Sequence, residues 1–299
     1  MSWRTVVISQ NAKLDYQIGY LVVRGRETVK VHIDEIGMLI IENTAVSFTA
    51  YLLSELVKKK IKVIFCDEKR NPSSELVSYY GSHDTSAKIR KQMEWTDQSK
   101  EEIWTAIVSE KISKQAALLK YLGKSESELL FQYIKEIELG DKTNREGHAA
   151  KVYFNALFGK SFTRSDENSI NAALNYGYSL ILSAVAREIV SNGYITQIGI
   201  FHDNMFNQFN LASDLMEPFR PIVDKKVFES QFEKFEKEEK HYMLELLQSE
   251  ITVSGKKEYL LNAIKIYVRS VFDAINEKDI SLIRFYTDEL QIYESSGFI

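Results

Sequence analysis

Hydrophobic positions along the chain change their spacing once. Up to Tyr80 they come in short β-branched and aromatic runs separated by turn residues, the pattern of strands. The runs predict strands at Arg4–Ile8, Gln17–Val23, Thr28–Ile33 and Met38–Ile41, with a hairpin turn at Arg24-Gly25-Arg26 and a break at Gln10-Asn11. A helix capped by Thr44 follows, with Val46, Ala50, Leu53 and Val57 near one face. Ile61–Cys66 returns as a buried strand, and Asp67–Ser74 with its Asn71-Pro72 pair reads as a loop. After Gly81 the period is helical, interrupted at Gly123, Gly140, Gly193 and Gly255. Asn168–Asn192 is apolar over most of its circumference, which predicts a central helix. Leu260, Ile264, Tyr267, Val271 and Ile275 mark an amphipathic one. Glu229–Lys240 reads as a solvated helix and Ser295–Ile299 as a loose tail. The expected fold is α+β: a small mostly-β domain over residues 1–80 and a larger all-α domain over 81–299, divided near Tyr80 to Thr85.

Composition narrows the class. With 299 residues, 44% hydrophobic, the chain is long enough to bury a sizeable core, and 3 Pro with 13 Gly exclude a disordered or fibrous protein. The lone Cys66 allows no internal disulfide, so a reducing, cytoplasmic setting is expected. No apolar run reaches the length of a membrane span, and MSWRTVVIS lacks a basic region followed by a long apolar segment, so neither export nor anchoring is expected. The net charge of −4, taken whole, argues against a nucleic-acid binder, but the bases are clustered. They gather at Lys58 to Lys62, at Lys69 and Arg70, at Lys88, Arg90 and Lys91, and at Arg220, Lys225 and Lys226, whereas Glu229–Glu250 carries much of the acid. Each cluster is either a solvated face or a phosphate contact.

One acid is out of place. In REGHAAKVYFNALFG, Arg145 to Gly159, helical spacing puts Glu146 on a stripe with Ala149, Ala150, Tyr153 and Leu157, and a buried carboxylate needs a hydrogen-bond donor or a cation. Two readings stand: Thr143-Asn144-Arg145-Glu146 fits a capping box in which Glu146 folds back onto its own helix start, or Glu146 is a metal ligand. His202, in GIFHDNMF, follows a mostly apolar run and is either a hydrogen-bonded structural residue or a ligand. Asp214 and Glu217 share a helical face, and Pro218 biases Glu217 towards a bend; their alternative is a solvated acidic edge. His148 points away from Glu146 and reads as surface, and His83 stands before a basic helix start where a phosphate could sit. Glu146, His202 and Glu217, with Asp214 beside them, make an oxygen-rich set with one imidazole and no thiolate. Such a set suits Mg²⁺ or Mn²⁺ and phosphoryl transfer.

The chain resembles the CRISPR-associated adaptation integrase family, the metal-dependent enzymes that insert new spacers into CRISPR arrays. The resemblance is carried by REGHAAKVYFNALFG, NAALNYGYSLI (Asn171 to Ile181), GIFHDN (Gly199 to Asn204) and DLMEPFRPIVD (Asp214 to Asp224), in that order, with TVVIS and the Thr44 to Cys66 unit near the start. It implies catalytic and metal-binding roles for Glu146, His202 and Glu217, with Asp214 as an additional acid that orders the site or joins the coordination. It further implies Mg²⁺ or Mn²⁺, double-stranded DNA as spacer precursor and repeat array, and joining by 3′-hydroxyl transesterification with associated endonuclease activity. A homodimer paired through the N-terminal domain is implied, two of which clamp a dimer of a small ferredoxin-like partner. Candidate DNA contacts are Lys88, Arg90, Lys91, Arg145, Arg164 and Arg220; the Thr163-Arg164-Ser165 segment is less basic than in many members. The N-terminus resembles the subtype that accompanies a single large effector nuclease. The rivals are a nuclease using water as nucleophile and a DNA-binding structural subunit.

Overall fold

The computed structural model describes residues 4–78 and 82–287, so the expected division near Tyr80 falls partly, and the expected tail at Ser295–Ile299 wholly, outside the described residues. The N-terminal part runs β1 (Arg4–Ile8), β2 (Lys13–Gln17), β3 (Tyr20–Arg24), β4 (Thr28–His32), β5 (Ile36–Ile41), β6 (Ser47–Phe48), helix α1 (Ala50–Lys58), β7 (Lys62–Cys66) and β8 (Pro72–Leu76). These strands form two four-stranded sheets, β1-β5-β7-β8 and β4-β3-β2-β6. In the first, β1, β5 and β7 are parallel and α1 makes the crossover from β5 to β7.

Every residue of β5 is buried, and its alternation divides them between two cores. Leu39 and Ile41 pack with Leu14, Leu21, Leu52 and Leu56 in a small N-terminal core. Met38 and Ile40, with Ile64 and Cys66 of β7, face the other way into the large helical core. The first sheet is therefore covered on both sides, as parallel sheets require.

Three local expectations change. Gln17–Val23 is not one strand: Ile18 and Gly19, both at positive φ (43° and 81°), form a two-residue turn between β2 and β3, the geometry whose twist suits a hairpin. The Arg24-Gly25-Arg26 turn stands where expected, between β3 and β4. Helix α1 is capped by Thr49, whose Oγ1 accepts the Leu52 N–H at 3.2 Å, rather than by Thr44. Its buried face is accordingly Leu52 and Leu56. The loop after β7 is only Asp67–Asn71, closed by the Asp67 carboxylate on the Asn71 N–H (2.8 Å), and Pro72 then opens an edge strand, where its missing N–H is harmless.

The rest is mostly helical: α2 (Thr85–Met93), α3 (Asp97–Tyr121), α4 (Ser127–Lys135), α5 (Arg145–Phe158), α6 (Ser169–Ser191), α7 (Asn210–Leu215), α8 (Arg220–Ser230), α9 (Lys237–Leu244) and α10 (Leu260–Glu277). Helix α6 is capped by Asn168, whose side chain accepts the Asn171 N–H (2.8 Å), and ends at Asn192-Gly193 as its sequence announces. It is packed by α7, α8, α9 and α10, which makes it central. Helix α3 is the second central helix, buried from Ile103 to Leu119 on several faces. Glu229–Lys240 is not one helix: α8 stops at Ser230, Gln231 turns left-handed, and α9 restarts after a reciprocal cap between Glu236 and Glu239. One sheet joins the helices, β9 (Glu250–Val253), β10 (Lys256–Tyr259) and β11 (Tyr286–Thr287), in the order β10-β9-β11. Gly255 is thus a hairpin turn and not an interhelical break. Among the described residues no helix is long and apolar enough to cross a membrane.

Candidate functional site

Helix α5 begins without a capping box. Asn144, left-handed at φ 52°, accepts the Gly147 N–H (3.3 Å), and the Asp141 carboxylate takes the N–H groups of Arg145 (2.7 Å) and Glu146 (3.0 Å). With those donors satisfied, Glu146 does not fold back and Thr143 is not the cap. Instead the Glu146 carboxylate reaches Lys111 on α3 as an ion pair and hydrogen bond.

Glu217 opens the single 3-10 turn Glu217–Phe219 between α7 and α8, where Pro218 sits in a first turn that tolerates it, rather than leaving the helical region. It is buried, accepts Arg220 Nε at 2.9 Å, and has Lys111 Nζ 2.5 Å from Oε2. Burial alone would raise its pKa; Arg220 and then Lys111 outweigh burial and hold it below the ordinary carboxylate value. For Lys111 the balance has the same form, with burial overcome by Glu217 and Glu146 so that the ammonium is kept. The pair Asp214 and Glu217 is no solvated edge, since both are buried.

Asp214 has another duty. Its Oδ2 accepts the N–H groups of Ile200 (2.6 Å) and Phe201 (3.1 Å), and its Oδ1 accepts the N–H of His202 (3.0 Å) and contacts His202 Nδ1 at 2.6 Å. A carboxylate only accepts, so Nδ1 carries a proton, and in the neutral ring the lone pair is then on Nε2. The hydrogen bond to Asp214, partly opposed by burial, raises the His202 pKa. The turn closes so tightly that a Cβ on Gly199 would lie 2.3 Å from the His202 carbonyl oxygen and 2.7 Å from Asp214 Oδ2, so glycine is required there. Beside it Phe201 stacks on Trp104 (4.3 Å, 3°), and the His202 ring meets Trp104 edge-on.

Glu146, His202 and Glu217, from three separate elements, line one cavity of about 260 Å³. Arg164 and Arg220, expected as DNA contacts, line it too: Arg220 lies over the Tyr178 ring (4.6 Å), and Arg164 bonds Asn171 and Asn175. The other expected contacts lie elsewhere. Arg145 pairs with Glu136 (3.0 Å) and packs on Tyr133, while Lys88, Arg90 and Lys91 project from α2, the last two exposed. His148 is exposed, as expected.

Among the described residues no three His, Cys, Asp or Glu side chains are gathered tightly enough to hold a metal ion, and the Lys111 ammonium contacts both Glu146 and Glu217. The donors nevertheless fit a hard divalent cation in kind: two carboxylates and an imidazole whose neutral form has its lone pair on Nε2. Trp104 Nε1 and Gln115 Oε1, in the same wall, are buried without a hydrogen-bond partner. Orphaned buried polar atoms are uncommon, and two around one cavity mark a place suited to a polar occupant.

Sequence reasoning missed Lys111, Gln115 and Asp224. The argument that singled out Glu146 applies equally to Lys111 and Gln115, polar residues within the buried run Ile103–Leu119. Asp224 is buried on α8 and accepts the hydroxyls of Tyr153 (3.0 Å) and Tyr178. Burial, only partly offset by those bonds and by Arg220, pushes its pKa up to about 6. A carboxyl raised above its unfolded value binds its proton more tightly when folded, so its contribution to stability falls as pH rises from the unfolded value of 3.8 to about 6. Asp224→Asn should remove that loss: the melting temperature of the variant minus that of the parent should rise across this window, and a constant difference would contradict the shift.

The family model described as CRISPR associated protein Cas1 matches residues 5–263. A protein of Neisseria meningitidis named CRISPR-associated endonuclease Cas1 is 33% identical over 286 residues, covering 93% of this chain and 94% of that protein. Two solved structures share the fold: a casposase bound to integration product (TM-score 0.74, 18% identity, 94% of this chain and 92% of that chain), and a Cas1 protein from Thermotoga maritima (TM-score 0.75, 17% identity, 96% and 100%).

Proposed function

The chain belongs to the CRISPR-associated Cas1 family, and from that premise we propose that it is a divalent-metal-dependent DNA integrase that joins 3′-hydroxyl ends of spacer DNA to a repeat by transesterification. The observation that carries this reading is the meeting of Glu146, Glu217 and His202 at one cavity, with Asp214 behind the imidazole. Glu146, Glu217 and His202 would hold Mg²⁺ or Mn²⁺, which when bound polarises a phosphate oxygen and favours ionisation of the attacking hydroxyl. The chain's own groups do the rest. Asp214 holds His202 in the tautomer whose Nε2 faces its ligand, and acts by position rather than by coordination. Arg220 and Arg164 place two guanidiniums, suited to bidentate phosphate contact, in the same cavity. The Trp104 ring, stacked on Phe201, meets the imidazole edge-on and helps to fix its orientation.

The test is a duplex with a labelled 3′-hydroxyl strand incubated with a repeat duplex in Mg²⁺, in Mn²⁺ and in EDTA. A longer, joined strand in either metal and none in EDTA is expected. Cleavage without joining favours a nuclease using water, and no product in either metal rejects the site.

Duplex DNA contacts extend to α2. Replacing Lys88, Arg90 and Lys91 together by Ala should weaken binding and lower the slope of log affinity against log salt, by about 0.9 for each phosphate that is no longer neutralised. An unchanged slope would move the duplex to another face. A homodimer paired through the N-terminal sheets, joined by a small ferredoxin-like partner, completes the proposed assembly. Strand β4 is an edge of its sheet among the described residues, with Val29 exposed. Deleting residues 1–80 would strip Met38, Ile40, Ile64 and Cys66 from the helical core, so a gentler probe is needed. Lys30→Cys on β4 should form a disulfide-linked dimer on oxidation if the β4 edges meet; a monomer by sedimentation would dismiss this pairing.

A further inference from the structure

Lys111 is buried on α3 and its ammonium touches both carboxylates proposed above as ligands, Glu146 from α5 and Glu217 from the turn before α8. Those carboxylates approach each other from separate elements, and without a positive charge between them they would repel. Resting on the reading that Glu146, Glu217 and His202 hold a divalent ion, we propose that Lys111 is a positioning residue with two stations. It holds Glu146 and Glu217 as a resident cation until a divalent ion takes those oxygens, and then swings to Gln115.

The ammonium stands on Glu146 Oε1 and Glu217 Oε2, and a divalent ion taking those same two oxygens would repel it at close range, so loading the site drives the ammonium away. A buried ammonium cannot be left without an acceptor. Gln115 supplies one. It lies four residues on from Lys111 along α3, hence one turn away on the same face, lines the same cavity, and is buried with its Oε1 lacking any hydrogen-bond partner. The other acceptors nearby are engaged: Asp224 takes the hydroxyls of Tyr153 and Tyr178, and Asp214 takes three backbone N–H groups and His202. Arg220 does not replace Lys111 at Glu146, because its guanidinium is held by Glu217 and the Tyr178 ring. An amide oxygen left unpaired in a buried wall has no purpose in the carboxylate-bound arrangement. It gains one when Lys111 arrives, and the two arrangements then differ by one side-chain rotation.

The device predicts that Lys111 and the ion compete. Mn²⁺ binding, followed by the electron paramagnetic resonance signal of the free ion, and melting in EDTA are measured on the full chain and on Lys111→Met and Gln115→Leu. Lys111→Met should bind Mn²⁺ tighter by about tenfold or more, the size of an ordinary coupling between competing ligands. It should also melt lower than the parent in EDTA, with the gap closing when Mn²⁺ is added. Gln115→Leu, which keeps the ammonium but removes its second station, should bind Mn²⁺ more weakly than the parent. Glu146→Gln and Glu217→Gln test the underlying reading: if neither weakens Mn²⁺ binding, the ligand set is wrong whatever Lys111 does. If they abolish binding while Lys111→Met binds like the parent or more weakly, the ligand set stands and the two-station role is overturned. Should Lys111→Met fail to fold even with Mn²⁺, Gln115→Leu decides, and parental affinity there overturns the proposal.

Discussion

His202→Ala is expected to abolish strand joining while leaving DNA bound. The imidazole is one of few proposed ligands, and its loss lets the ion, and with it nucleophile and phosphate, drift from alignment. A misplacement of about 1 Å is enough to lower rates roughly 10²-fold. Affinity should barely change, because phosphate contacts to basic groups dominate binding and His202 contributes none of the clustered charge. If His202 were only structural, the outcome would reverse. Asp214 would lose one of its four donors, a loss of about 1 to 3 kcal/mol visible as a lower melting temperature, and joining would survive. A strand-joining assay in Mn²⁺ and Mg²⁺, a binding isotherm and a melt on one preparation separate the two. Joining at the parental rate in both metals would sink the site.

Asp214→Asn should damage both stability and rate. The carboxylate is fully buried and its two oxygens serve three N–H groups and the imidazole Nδ1–H. An amide has one accepting oxygen, and its NH₂ would face donors. The turn from Gly199 to His202 then loosens, and Nδ1 loses the acceptor that fixes the tautomer of the neutral ring. Loss of a residue that orients a ligand lowers metal affinity or activity by about 10- to 100-fold. The melting temperature should fall by several degrees, on the order of 2 to 4 °C for each kcal/mol in a chain of this size. The pH dependence gives a further check. His202 has a folded pKa above its unfolded 6.5, so the stability it draws from Asp214 is fully present below that value and is lost as pH rises through the folded pKa. The gap in melting temperature between parent and variant should therefore narrow as pH rises above about 6.5. A variant that joins DNA at the parental rate, however low its melting point, would reduce Asp214 to a structural residue.

Much of the helical scaffold was legible because its signals are local. Asn168 and Asn192-Gly193 bracket α6 within the chain that folds into it, and the apolar stripe from Leu260 to Ile275 needs only the helical period to be seen. The strand at Arg4–Ile8 and the turn at Gly25 were legible for the same reason. Local signals failed where two satisfied the same rule. Thr44 and Thr49 are both acceptable caps, and the pairing of β6 with β2 settles the choice by drawing Ser47 and Phe48 into a sheet. Pro72–Leu76 became a strand because β7 offered it an edge.

The site divides along the same line. The sequence by itself determined which side chains are chemically able to serve: an acid on an apolar stripe, a histidine after a packed run, an acid before proline, and the family motifs that contain them. Only the tertiary structure decided where those groups point. Glu146 could cap its own helix or face a cavity, and Asp141, by taking the first N–H groups, released it to reach Lys111 from 35 positions away. Asp214 and Glu217, neighbours on paper, part company: one meets His202 and the other Lys111 and Arg220. Charge pairing and orphaned acceptors belong to groups brought together by packing, and packing depends on the whole chain at once.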